Sequence, residues 1–180
     1  MVWKRLNSLG GKIMENFFNL VKILSEGLGT TLLIFILTLV LGIPVGILIA
    51  MARNSKNKIL SNITKLYILI IRGTPMMLQI IFIYFAPYYL FKINYDRFVA
   101  IIIAFVVNYA AYFAEIFRSG ILSIPKGQKE AAFTLGFSKT QTFFRILLPQ
   151  IIKRILPAMS NEVISLIKTT SLAQIIGITE

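Results

Sequence analysis

The chain has neither cysteine nor histidine in its 180 residues, a single tryptophan and only seven acidic side chains. Without cysteine there is no disulfide framework and no thiolate chemistry. Without histidine, the commonest metal ligand and general base are both missing. No G-x-x-x-x-G-K-[ST] phosphate loop occurs either, so the chain lacks the usual cradle for a nucleotide. Apolar residues make up 57%, and the mean hydropathy is +0.78. Soluble domains sit near 45–50% apolar, so the excess favours a lipid-embedded class. A net charge of +12 with pI about 10.1 would suit nucleic acid. Here, however, the basic residues lie between long apolar runs, the distribution expected of cytoplasmic loops under the positive-inside rule. Membrane lipid, not nucleic acid, is the expected surrounding.

Residues 1–26 are mixed, with Lys4, Arg5, Lys12 and Lys22 among Trp3, Phe17 and Phe18. They read as an interfacial N-terminal segment, with an amphipathic helix from Ile13 to Leu24. From Gly27 to Ala52 no residue is charged. That run of about 26 residues makes roughly 39 Å of helix, enough to cross a hydrocarbon core of about 30 Å. It is too long for the apolar stretch of a signal peptide. After the polar loop carrying Arg53, Lys56 and Lys58, a second helical stretch, Ile59 to Leu90, is too long for one simple span. Arg72-Gly73-Thr74-Pro75 divides it, because Pro75 has no N–H to donate to the preceding turn. Tyr84, Phe85, Tyr88 and Tyr89 mark its outer end as an aromatic belt would. A third span runs from Phe98 to Ala114 and is closed by Glu115 and Arg118, i,i+3 neighbours able to pair. A fourth apolar segment, from about Ile151 to Thr170, is interrupted by Lys153, Arg154, Pro157, Glu162 and Lys168. The expected fold is therefore an all-α polytopic transmembrane bundle of about four spans. Its basic loops, around residues 53–58 and 118–154, face the cytoplasm, and residues 92–96 lie outside. The basic N-terminus is the one element at odds with this orientation.

The second loop holds the sharpest signal, Glu130 to Pro149: E-A-A-F-T-L-G-F-S-K-T-Q-T-F-F-R-I-L-L-P. Glu130, Ala131 and Ala132 are good helix formers, Gly136 is a stop, and Ser138 is placed to cap a second short helix. On geometry alone this is also what an ordinary amphipathic loop helix looks like. The residue pattern says more. Glu-Ala-Ala, three residues, Gly, nine residues, Ile, one residue, Leu-Pro resembles the permease subunits of ATP-binding-cassette importers. Gly29-Thr30-Thr31, Arg72-Gly73-Thr74-Pro75, Ile124-Pro125-Lys126-Gly127-Gln128 and Ser160 to Leu172 are similar to the branch that takes up polar amino acids such as histidine, arginine, glutamine and glutamate. Ser160 and Thr169 depart from that branch's usual Gly and Asp.

The resemblance implies that residues 27–180 form a permease domain in the cell membrane. It implies a coupling helix, with Glu130, Ala131, Ala132 and Gly136, that docks on a separate ATP-binding subunit. ATP and magnesium would be bound there, so this chain needs no cofactor of its own and is not an enzyme. An extracytoplasmic amino-acid-binding protein and a second permease, identical or a sister chain, complete the expected assembly. Members of the family usually carry a further span beyond the position of Glu180, so the resemblance also implies that the chain given stops short of it.

Substrate residues are read from the fourth segment. Glu162, Ser165 and Thr169 share one helix face, bordered by Asn161 and Lys168. An ionisable group at that depth is costly unless it faces a cavity or a partner. Glu162 is thus expected either to meet the ammonium or cationic side chain of a substrate, or to pair with Lys168 or another helix. Thr74, at the break, is expected to add polar groups at the same depth, as broken helices do in transporters. The rivals are a permease for another small solute, a secondary transporter, which needs no coupling helix, and a membrane enzyme using Glu115 and Glu162. The last has no nucleophile arrangement to offer.

Overall fold

The computed structural model describes the backbone of residues 2–94 and 96–177, and the side chains of 16–22, 25, 27–94, 96–173 and 177. Among the described residues the secondary structure is helical throughout. The helices are α1 (Val2–Arg53), α2 (Lys58–Gly73), α3 (Met76–Phe91), α4 (Arg97–Leu122), α5 (Lys126–Thr134), the short α6 (Lys139–Gln141) and α7 (Leu148–Thr169). A π-helical turn over Thr142–Leu147 joins α6 to α7, and a 3-10 helix over Thr170–Ile176 follows. Asn16–Arg53 and Arg97–Leu122 are each long and apolar enough to cross a membrane, and α2 with α3 passes the same test only as a bent pair, the form of a broken span or a re-entrant loop. α7 falls outside that set, because its charges dilute its apolar surface. It nevertheless packs against α4 as a full helix.

The structure draws no boundary at residue 27. α1 continues from Val2 through the whole charge-free run, since neither Gly27 nor Gly29 alone is enough to end a helix. The amphipathic stretch expected over 13–24 falls partly among residues whose side chains are outside the described set.

α4 is the central post. Ala100, Ala104, Ala110, Ala111 and Ala114 are buried along it, with Phe105, Tyr109 and Phe113 between them. Small side chains let neighbouring backbones come close where lipid supplies no hydrophobic drive. The closest approach is to α1. A Cβ on Gly46 would stand 2.8 Å from Phe113 Cβ and 3.2 Å from the Ala110 carbonyl oxygen, and one on Gly42 would touch the Phe113 ring at 3.4 Å. The Gly42-x-x-x-Gly46 pair is therefore the groove that seats Phe113. On the other side Gly120 gives room to Ile151 and Ile155 of α7. Asp96 starts α4 by accepting from the Phe98 amide at 2.8 Å, and the anticipated Glu115–Arg118 pair forms near its other end with bonds of 3.0 and 2.9 Å.

Candidate functional site

At the divided second stretch the chain turns by 109° between α2 and α3. Thr74 and Pro75 are extended (ψ 144° and 134°), so this is a true break and not a kink. Pro75 deprives the Ile71 carbonyl of its helical donor. Gln79 replaces it: its Nε2 donates to Ile71 O at 2.7 Å, to Thr74 Oγ1 at 2.8 Å and to Thr74 O at 3.1 Å. Thr74 Oγ1 in turn donates to Ile70 O at 2.8 Å. Asn108 of α4 completes the set by donating to Gln79 Oε1 at 2.9 Å. The polar groups freed by the break are thus held from within the protein, and both amides are buried.

Arg72 lies over an aromatic ring of α4. Its guanidinium lies 4.9 Å from the centroid of the Tyr112 ring, and Tyr112 is next to Tyr109, ring centroids 6.3 Å apart. On α7, Glu162 is half-buried, Thr169 partly so, and Asn161, Ser165 and Lys168 are exposed. Thr169 Oγ1 donates to Ser165 O at 2.7 Å. Tyr109 lies near Glu162 and Thr169, and Arg72 is close enough to attract the Glu162 carboxylate. The α7 stripe and the α2–α3 break are therefore joined by Arg72, Tyr112 and Tyr109. Glu115 is paired with Arg118 on its own helix, on the side of Arg72 that faces the end of α1.

The second site lies at the opposite end of α7. α5 begins after Pro125 and stops as its sequence requires: Gly136 is left-handed at φ +79°. The Phe137 amide reaches back to Ala132 O and the Gly136 amide to Phe133 O, both at 3.0 Å, which is a complete Schellman stop. Ser138 then caps α6 in a reciprocal box with Gln141. Glu130, Ala131 and Gly136 are exposed, while Ala132 is 2% exposed. The Glu130 carboxylate has no ion-pair partner among the described residues. Behind this knuckle, Ile124, Leu147 and Ile151 form a small core. Gln150 Nε2 bonds Gln128 Oε1 at 3.3 Å, and Arg154 donates to Ser123 O, so the first turn of α5 and the turn before it are tied to α7. Glu162 lies about 21 Å along α7 from Leu148 at 1.5 Å per residue. One continuous rod thus runs from the exposed knuckle to the polar stripe.

Sequence reasoning missed Gln79, Asn108 and Tyr112. A buried amide one turn beyond a Gly-Thr-Pro break is the signal that points to Gln79; nothing local points to Asn108, 29 residues further on.

Residues 42–179 match the model of a family described as "Binding-protein-dependent transport system inner membrane component". The chain is 42% identical over 158 residues to the L-cystine transport system permease protein TcyB of Bacillus subtilis, covering 88% of this chain and 67% of that one. It is 39% identical over 161 residues to the glutamine transport system permease protein GlnP of Escherichia coli, covering 89% and 74%. Among solved structures, an amino acid ABC transporter crystallised with histidines is similar at TM-score 0.82 and 34% identity, over 91% of this chain and 76% of that one. The MetNI methionine ABC transporter shares the fold at TM-score 0.62 and 22% identity.

Proposed function

Because the chain belongs to the binding-protein-dependent transport system inner membrane components, we propose that it is the permease subunit of an ATP-driven importer for polar amino acids. A separate ATP-binding subunit, carrying ATP and magnesium, powers it; an extracytoplasmic binding protein delivers the substrate; and a second permease, identical or a sister chain, completes the pathway across the bacterial inner membrane. The observation that carries this reading is the exposed knuckle at 126–141, capped at both turns and tied to the foot of the helix that bears Glu162. Glu130, Ala131, Ala132 and Gly136 are the docking residues for the ATPase. Movement imposed there tilts or shifts α7 as a unit, because a packed helix is stiff along its axis.

At the other end of that rod, Glu162 is the group that prefers a positively charged substrate. A half-buried carboxylate is costly unless paired, and a cationic amino acid supplies a counter-charge in a partly dry site where attraction exceeds that in water. Asn161, Ser165 and Thr169 supply neutral polar groups on the same helix, and Thr74 at the break between α2 and α3 adds another. The likeness to transporters of cystine and glutamine supports polar amino acids as the class; the cationic preference rests on Glu162.

The test is uptake of labelled arginine, histidine and glutamine into vesicles containing the assembled importer. Uptake that requires ATP and the ATPase subunit supports the proposal. Uptake that follows an imposed proton or sodium gradient without the ATPase would point to a secondary transporter instead.

A further inference from the structure

A groove of about 240 Å³ opens where the end of α1 meets α2 and α4, lined by Arg53, Lys65, Ile68, Leu69, Arg72 and Glu115. Its charge is lopsided. Glu115 is already taken by Arg118, the only ion pair among the described residues. Arg53, Lys65 and Arg72 are therefore left without a carboxylate at ion-pair distance. On α2 the basic residues recur at Lys58, Lys65 and Arg72, steps of seven that keep them on one side of the helix. Arg53 is fixed to the same side: its Nη1 donates to Ser61 Oγ, and Ser61 Oγ donates back to Arg53 O, both at 2.8 Å.

This basic row borders an exposed apolar face. Ile68 turns inward against Ala50, Ala111 and Ala114, whereas Leu69, Leu66 and Ile63, successively further round α2, are 63%, 58% and 61% exposed. A free anion would satisfy the cations and leave that face bare. A second copy of this chain would bring the same positive row to a positive groove. An amphiphile with an anionic head and hydrocarbon tails matches both halves of the surface. Arg53 also begins the loop that the charge pattern assigns to the cytoplasm, where anionic headgroups attract basic segments.

We propose that this groove is a binding site for an anionic phospholipid of the cytoplasmic leaflet, its phosphate held by Arg53 and Lys65 and its acyl chains laid along Leu69 and Leu66. Arg72 lies deeper, over Tyr112, and adds attraction without contacting the phosphate. The site is separate from the coupling knuckle and does not rest on the transport reading.

The experiment is native mass spectrometry of the purified chain in detergent, titrated with phosphatidylglycerol or with phosphatidylcholine of the same acyl chains. Phosphatidylglycerol should be retained more tightly. Each cation near a membrane surface is worth about 1 kcal/mol, so Lys65→Gln should weaken retention about fivefold and Arg53→Gln with Lys65→Gln about 25-fold. Lys65 makes no hydrogen bond among the described residues, so its single variant reads the site without disturbing the fold, and Lys92→Gln at the other end of α3 serves as a control that should change nothing. Equal retention of the two lipids, or unchanged retention by the double variant, overturns the proposal. Displacement of the lipid by inorganic phosphate at equal concentration would assign the groove to a free anion and also overturn it.

Discussion

Replacing Gln79 with Leu tests how the break between α2 and α3 is held. The variant removes the donor to the Ile71 carbonyl and the acceptor for the Asn108 amide, the two bonds at 2.7 and 2.9 Å that no nearby group replaces. Hydrogen bonds between membrane helices average about 0.6 kcal/mol and reach about 1.7. Two orphaned groups should therefore cost about 1–3 kcal/mol. For a chain of this size, about 2–4 °C of melting temperature accompanies each kcal/mol, so a fall of several degrees is expected for the chain in detergent. Asn108→Leu alone should also destabilise, since it leaves Gln79 Oε1 unpaired. The double variant should be less unstable than the two singles added, because removing both partners leaves less unsatisfied. Spin labels on cysteines introduced at Asn62 and Phe85 of this cysteine-free chain should report a broader distance distribution in Gln79→Leu, as the 109° turn loosens. Strictly additive melting shifts with an unchanged distribution would refute the reasoning, and the turn would then be held by packing alone.

Two glycines of α1 should respond in opposite ways. Gly46→Ala drives a Cβ to 2.8 Å from Phe113 Cβ and should destabilise by about 1–3 kcal/mol through overpacking, whereas Gly29→Ala meets nothing within 4 Å and should stabilise the helix by up to about 1 kcal/mol; thermal melts of the two variants give the signs. Glu162→Gln keeps the shape and removes the charge, so it should reduce uptake of arginine, lysine or histidine more than that of glutamine; an unaltered preference between them would leave Glu162 a structural residue. A single cysteine at Lys139 should react with an impermeant maleimide only when the inner face of the membrane is exposed, and one at Ile93 only from the outside of intact cells. Labelling of position 139 from outside contradicts the orientation.

What the sequence made legible was whatever is decided by neighbours along the chain. Gly136 as a left-handed stop, Ser138 as a cap and Glu115 with Arg118 are all local, and each appears in the structure as read. Pro75 announced a break because it lacks a donor, but its angle depends on Gln79 reaching back and Asn108 reaching across from another helix. The apolar count undervalues α7 because Glu162 and Thr169 on its polar face lie near Tyr109 of another helix, a tertiary fact that hydropathy cannot weigh. Nothing local to Arg72 announces its place over Tyr112, a residue 40 positions away. The small residues of α4 and Gly46 were visible as letters, yet only the packed helices reveal that they seat Phe113.

The most direct test of the account is the number of ATP molecules hydrolysed per amino acid imported by vesicles holding the chain with its ATPase and binding protein. Gly136→Leu forces a left-handed side chain at φ +79°, a strain of about 1–2 kcal/mol, or roughly tenfold in a docking equilibrium. Glu130→Lys reverses the one acidic side chain of the knuckle. The account predicts that both variants insert normally and hydrolyse more ATP per molecule imported, or import little at all, with Gly136→Asn in between because asparagine tolerates the left-handed region. A ratio equal to that of the parent chain in Gly136→Leu and Glu130→Lys alike would show that residues 130–136 do not couple hydrolysis to transport.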